Sequence, residues 1–343
     1  MRQLLNTLFI TREEAYASLD GENIVITEKK EEIGRFPLHI LEEIYLFSYS
    51  GASPALMGKC AEKGINLVFL SPRGKFLCRV SGESKGNVLL RRKQYKFADS
   101  DEQCVDIARN FIFGKISNCR QTINRTKRDH ENRIDKPKFD DISEKLRESM
   151  KSVIDVKSLD ELRGIEGAAA AMYYSVFDEM ILQQKESFHY EGRSRRPPLD
   201  NLNALLSFVY VLLASSCAHA LEMVGLDSYV GFMHKDRSGR RSLSLDLMEE
   251  LRPCMADRFV ITLINNRMVS ESDFIHQEDG AVLLTDEGRK KVSREWQEKK
   301  KVIIEHPFIN EKIEWGLVPY VQALLLSRFL RGDLDGYPPF LWK

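Results

Sequence analysis

One histidine and a few carboxylates hold most of the chemistry this chain can offer. Residues 231–253 read Gly-Phe-Met-His-Lys-Asp-Arg-Ser-Gly-Arg-Arg-Ser-Leu-Ser-Leu-Asp-Leu-Met-Glu-Glu-Leu-Arg-Pro. His234 stands just ahead of a basic turn containing Lys235, Arg237, Arg240 and Arg241. The turn leads into a helix-like run with Asp246, Glu249 and Glu250. Asp246 and Glu249 are three apart, which on a helix puts them on one side. Neighbouring carboxylates repel, and they share a site comfortably only with a cation or a proton. A nearby imidazole completes a divalent-metal set, and the basic rim suits a phosphate-rich substrate. The competing reading is a solvated helix with ordinary acids and a chance histidine.

A second carboxylate stands in Gly164-Ile-Glu-Gly-Ala-Ala-Ala-Ala-Met-Tyr-Tyr. The pattern predicts a helix over 165–184 with Glu166 in its first turn and an apolar stripe of Ile165, Ala169, Met172, Val176 and Met180. There Glu166 either complements the helix dipole or borders a site built with distant residues, the flanking glycines permitting close approach. Oxygen ligands with one imidazole suit Mn²⁺ or Mg²⁺, whereas zinc recruits more His or Cys. There is no H-E-x-x-H, no Walker A and no G-x-G-x-x-G, which argues against nucleotide hydrolysis and dinucleotide binding. Basic clusters recur at Arg91–Lys93, Arg125 to Arg128, Arg193 with Arg195 and Arg196, and Lys299–Lys301. Each alone reads as a solvated face; together they read as a phosphate-binding surface. The Tyr173-Tyr174 pair has the spacing of core residues rather than of a base-stacking platform. His219 and His276 read as ordinary structural histidines.

The elements that must position these residues divide into two textures. Residues 1–84 read as a small β-rich, sandwich-like domain. Strands are expected at 23–27, 43–49, 65–70 and 75–80, and a short helix at 53–63 ends on Gly64. Residues 85–343 read as a larger all-α domain, with helices near 105–116, 165–184, 202–224, 243–268, 287–304 and 316–331. The polar stretch 81–87 is the expected boundary. The fold class is thus α+β, with the candidate metal-ligating residues in the helical part. Lys+Arg and Asp+Glu both number 51, so nucleic-acid contact must rest on local patches rather than on net charge. The six cysteines are scattered with no C-x-x-C pair, which excludes a disulfide framework and predicts reduced thiols. The N-terminus lacks an apolar signal-like region. The uncharged run Ala204–Leu221 reads as a buried core helix rather than a membrane span.

Four motifs in this order resemble the CRISPR-associated Cas1 family. They are Gly164-Ile-Glu-Gly, then Arg195-Arg-Pro-Pro-x-Asp-x-x-Asn-Ala-Leu-Leu-Ser-Phe, then Gly231-Phe-x-His, then Leu245-Asp-Leu-Met-Glu-Glu-Leu-Arg-Pro. The wording around His234 and the Arg195–Pro198 segment is similar to the type I-C branch. The resemblance spans nearly the whole chain. It implies a DNA endonuclease and integrase that inserts spacers into the CRISPR array, with Mn²⁺ or Mg²⁺ held by Glu166, His234 and Glu249. Asp246 resembles an additional acidic catalytic position. The resemblance also implies a cytoplasmic prokaryotic protein that binds double-stranded DNA and pairs through its N-terminal domains. It further implies a Cas2 dimer as partner, and the Cas4 nuclease as another. The DNA-binding residues expected are Lys235, Arg237, Arg240, Arg241, Arg195 and Arg196. The alternative is a non-catalytic DNA-binding scaffold of the same fold.

Overall fold

The computed structural model describes residues 7–72, 76–80, 82 and 88–343. The N-terminal part holds β1 (Thr7–Ile10), β2 (Tyr16–Asp20), β3 (Asn23–Glu28), β4 (Glu31–Pro37), β5 (Glu43–Leu46), α1 (Pro54–Lys63), β6 (Asn66–Leu70) and β7 (Phe76–Arg79). Strands β2, β3 and β4 form an antiparallel meander. Asp20 pairs with Asn23 across a tight turn whose Gly21 has a φ of 58°, a conformation glycine adopts without steric cost. In the second sheet, ordered β1-β5-β6-β7, the first three strands are parallel and β7 is antiparallel. Strands β5 and β6 are apolar on both faces, because each face meets a different core. Ile44, Leu46, Leu67 and Phe69 point into a small core with Ile24, Ile26, Leu56 and Cys60. Tyr45, Phe47, Val68 and Leu70 point into the large helical core, where Phe47 packs on Phe208 with ring centroids 6.0 Å apart.

The remainder comprises α2 (Val88–Ala98), α3 (Asp101–Asp129), α4 (Lys136–Ile154), α5 (Leu159–Tyr174), α6 (Asn201–Met223), α7 (Ser242–Leu251), α8 (Arg258–Asn265), β8 (Phe274–His276), β9 (Val282–Leu284), α9 (Asp286–Lys300), β10 (Ile303–Glu305), β11 (Lys312–Glu314) and α10 (Val318–Arg331). It is mostly helical rather than all-α, since β8–β9 and β10–β11 are short antiparallel hairpins. Helix α6 is long and apolar enough to cross a membrane, yet 67% of its most apolar window is buried inside the protein. Pro137 sits in the first turn of α4, where its missing N–H is harmless and its fixed φ favours the start of the helix. All six cysteines are free. The expected boundary between 84 and 85, and part of the turn before β7, lie outside the described residues.

Two expected helices have different bounds. The one at 165–184 begins earlier, at Leu159, where the Ser158 hydroxyl accepts the Glu161 N–H, and it ends at Tyr174. Val176 and Met180 are buried beyond its end. The run 243–268 is interrupted by a π-helical turn, Arg252–Asp257. Pro253 supplies the cause: it has no N–H to offer the carbonyl four residues back, so the helix widens there.

Candidate functional site

Helix α5 brings Glu166 inward from mid-helix. The first-turn acids are Asp160 and Glu161, so Glu166 does not serve the helix dipole. Its carboxylate pairs with the Lys115 ammonium of α3. The same ammonium lies 2.6 Å from Oε2 of Glu249 on α7. Lys115 therefore bridges two carboxylates from different helices. Glu249 Oε1 also meets Arg252 at 2.7 Å, while Oε2 is buried with no aligned hydrogen-bond donor. Burial works to raise the Glu249 pKa, but Arg252 and Lys115 outweigh it and hold the group down to about 2. Burial likewise works against the Lys115 charge, and Glu249 and Glu166 more than offset it, so its pKa rises.

His234 approaches from the loop before α7, close enough to be among the groups that act on the Glu249 carboxylate. The loop is held from two sides. Arg163 of α5 donates to the Met233 carbonyl at 2.7 Å. Asp246, wholly buried, accepts main-chain N–H groups of Phe232, Met233 and His234 at 2.7–3.0 Å, and its Oδ1 lies 2.5 Å from His234 Nδ1. Asp246 thus faces the 232–234 backbone rather than Glu166 and Glu249. Its bond to Nδ1 orients the imidazole and leaves Nε2 free to accept or ligate. Gly231 is required here: a Cβ at that position would come 2.7 Å from Asp246 Oδ2 and 2.8 Å from Ser242 Cβ.

A polar network backs the pair. The Arg252 guanidinium lies over the Tyr210 ring at 5.1 Å, and Arg193 lies over the same ring at 5.2 Å. Tyr210 donates to Asp257 and meets the Tyr174 hydroxyl at 3.1 Å. Burial raises the Asp257 pKa to about 6, against the Tyr210 bond and the Arg252 charge. Sequence reasoning missed Lys115, Arg252, Tyr210 and Asp257. A signal existed for Lys115, which follows Ala108, Phe111 and Ile112 on the buried face of α3 at helical spacing, a place where an unpaired lysine is costly.

The expected DNA-binding residues do not gather at one point. Lys235 and Arg237 are exposed on the loop after His234, and Arg240 is half-exposed. Arg241 is drawn toward the N-terminal part, its guanidinium 4.5 Å from the Phe76 ring and its Nε 3.5 Å from the Tyr229 hydroxyl. Arg195 and Arg196 are exposed on the segment before α6. Among the described residues, no three His, Cys, Asp or Glu side chains are close enough to ligate one ion. The chemistry of the donors nevertheless suits a hard divalent cation: the part-buried Glu166 and the buried Glu249 already share one positive charge, and an imidazole is oriented beside them.

Known proteins share both sequence and fold with this chain. The family described as CRISPR associated protein Cas1 matches residues 8–298. A CRISPR-associated endonuclease Cas1 of Chlorobaculum tepidum is 46% identical over 343 residues, covering all of both chains. One from Rhodospirillum rubrum is 48% identical over 350 residues, again covering both. A casposase bound to its integration product superposes with a TM-score of 0.85 at 22% identity, over 99% of this chain and 95% of that one. A chain of a Cas6-RT-Cas1–Cas2 complex gives 0.82 at 20% identity, over 100% of this chain and 36% of that one. With a family match across most of its length and full-length relatives near half identity, this chain belongs to the CRISPR-associated Cas1 family.

Proposed function

We propose that this protein is a metal-dependent DNA endonuclease and integrase of CRISPR adaptation. The observation that carries the reading is the pair of carboxylates, Glu166 and Glu249, bridged by one cation beside an imidazole oriented through Asp246. Glu166, Glu249 and His234 would hold Mn²⁺ or Mg²⁺, which when bound supplies Lewis-acid activation of a phosphodiester and its nucleophile. The chain's own groups prepare that chemistry. Arg252 and Lys115 keep Glu249 ionised, Asp246 positions His234, and Lys235, Arg237, Arg240 and Arg241 provide charge for the DNA backbone. A 3′-hydroxyl attacking a repeat phosphodiester joins spacer to repeat; water attacking instead gives a nick. The names of the full-length relatives support an endonuclease. We extend the reading to a type I-C system, a homodimer, and a Cas2 dimer and Cas4 as partners in the prokaryotic cytoplasm.

The competing reading is a DNA-binding scaffold without catalysis, and one assay separates them. A short duplex with 3′-hydroxyl ends is incubated with a repeat-bearing plasmid, with and without Mn²⁺ or Mg²⁺, and strand transfer and nicking are followed on gels. Activity is expected only with metal. Glu166→Ala, His234→Ala and Glu249→Ala should each abolish both products while circular dichroism stays native. Binding without any metal-stimulated nicking would favour the scaffold.

A further inference from the structure

Basic stretches far apart in sequence meet on the face formed by α3, α8 and α9. Arg125 and Arg128 stand near the end of α3, Arg258 opens α8, and Lys299 lies in the last turn of α9. They share an aromatic floor. The Arg125 guanidinium lies 3.9 Å from the Trp342 ring and that of Arg258 5.6 Å from it. Lys299 Nζ is 5.5 Å from the Trp315 ring, whose centroid is 6.2 Å from that of Trp342. Among the described residues, Asp129 is the one side-chain carboxylate that forms an ion pair with any of these four cations, at 2.9 Å from Arg128 and 3.8 Å from Arg258. Arg125 donates to the backbone oxygen of Lys343, and its buried Nε has no partner.

Such a gathering is unfavourable without an anion. Burial first, and then the Arg258 and Arg128 charges, lowers the Arg125 pKa. Burial first, and then Arg258 and Arg125, lowers that of Lys299. A guanidinium stacked on an indole keeps its edge free for in-plane hydrogen bonds; on Arg125, Nε is buried and one terminal nitrogen donates to Lys343, which leaves the other terminal nitrogen for a phosphate oxygen. We propose that Arg125, Arg258 and Lys299, seated on Trp342 and Trp315, form a backbone-phosphate site for a DNA strand, separate from the Glu166–Glu249 pair. Ten residues of α3 separate Lys115 from Arg125, a rise of roughly 15 Å. A strand engaged at the carboxylates can therefore be anchored here a few nucleotides away. The assignment of DNA as the phosphate donor rests on the nuclease reading above.

The test measures binding of a fluorescent duplex with a single-stranded 3′ extension, in EDTA, across a salt series. The Arg125→Gln/Lys299→Gln protein should bind at least about tenfold more weakly, and its slope of log affinity against log salt should be shallower by nearly two. Arg125→Lys, which loses the stacked guanidinium but keeps the charge, should retain the wild-type slope. Wild-type affinity and slope in the double variant would overturn the site. So would an Arg125→Lys protein as weak as Arg125→Gln, since that pattern means packing rather than charge. Nicking by the wild-type protein in Mn²⁺ is measured in parallel. A shallower slope in the double variant without wild-type nicking would leave the phosphate site standing and remove the nuclease reading.

Discussion

The ammonium of Lys115 stands between two acidic side chains at a buried position, and that decides how the site behaves before any metal arrives. Two carboxylates this close repel unless a cation is shared. Lys115 supplies it from within the chain, so the arrangement can stay folded without an ion. Removing one partner of such a buried set leaves charge uncompensated, at a cost of about 3–5 kcal/mol. Lys115→Met should therefore melt well below wild type in EDTA. Added Mn²⁺ should raise the melting temperature of the variant more than that of wild type, because it replaces the missing charge. Thermal melts with and without the ion check this. Equal melting of the two proteins in EDTA would remove Lys115 as the internal counter-ion. The histidine obeys a similar logic: Asp246 is the residue behind the ligand candidate, and its four accepted bonds leave it no lone pair directed at Glu249.

At the scale of elements, the β10–β11 hairpin is tied to the helical core through one imidazole. His306 is fully buried; its Nε2 lies 3.1 Å from Gln322 Oε1, and its Nδ1 accepts the Phe308 and Ile309 N–H groups at 3.3 and 3.5 Å. An amide oxygen only accepts, so Nε2 carries the proton and the ring is neutral. Gln322 in turn donates to Glu250 at 2.9 Å, next to Glu249 in sequence. Burial lowers the His306 pKa to about 4, against the Gln322 bond. In the unfolded chain the imidazole takes a proton near pH 6.5, earlier than in the fold. Stability from this group is therefore whole above about 6.5 and is lost as pH falls through 4, up to about 3 kcal/mol. Urea titrations from pH 7 to 4 should show a shallower loss in His306→Asn than in wild type. Parallel curves would exclude His306 as the source.

For the whole molecule, the N-terminal sheet is shared between two cores, which bears on how the expected homodimer can be tested. Removing residues 1–87 would strip Tyr45, Phe47, Val68 and Leu70 from the helical core and expose their partners. A truncation therefore confuses assembly with folding. The outer sheet offers a better handle, because β4 leaves Ile33 and Phe36 exposed, at 43% and 38%. If the protein pairs through this part, Ile33→Glu with Phe36→Glu should yield a monomer by sedimentation, with the melting temperature little changed. A double variant that remains a dimer would place the pairing surface elsewhere.

Local sequence determined much of this protein. Alternating and continuous apolar runs marked β3, β5, β6 and β7. The glycine after α1 marked its end, and the spaced motifs around Glu166, His234 and Glu249 pointed to one chemistry. Such features are legible because periodicity, capping and turn chemistry act over a few residues. What depended on contacts across the chain was not legible. Lys115 reads as one more lysine until α3, α5 and α7 meet around it. Asp246 and Glu249 read as a matched pair until folding turns one to the backbone of 232–234 and the other to Lys115. Arg125, Arg258 and Lys299 lie on separate helices, and only packing sets them beside Trp342 and Trp315. A charge's partner and its degree of burial are properties of the assembled core, and these decide what each ionisable residue does.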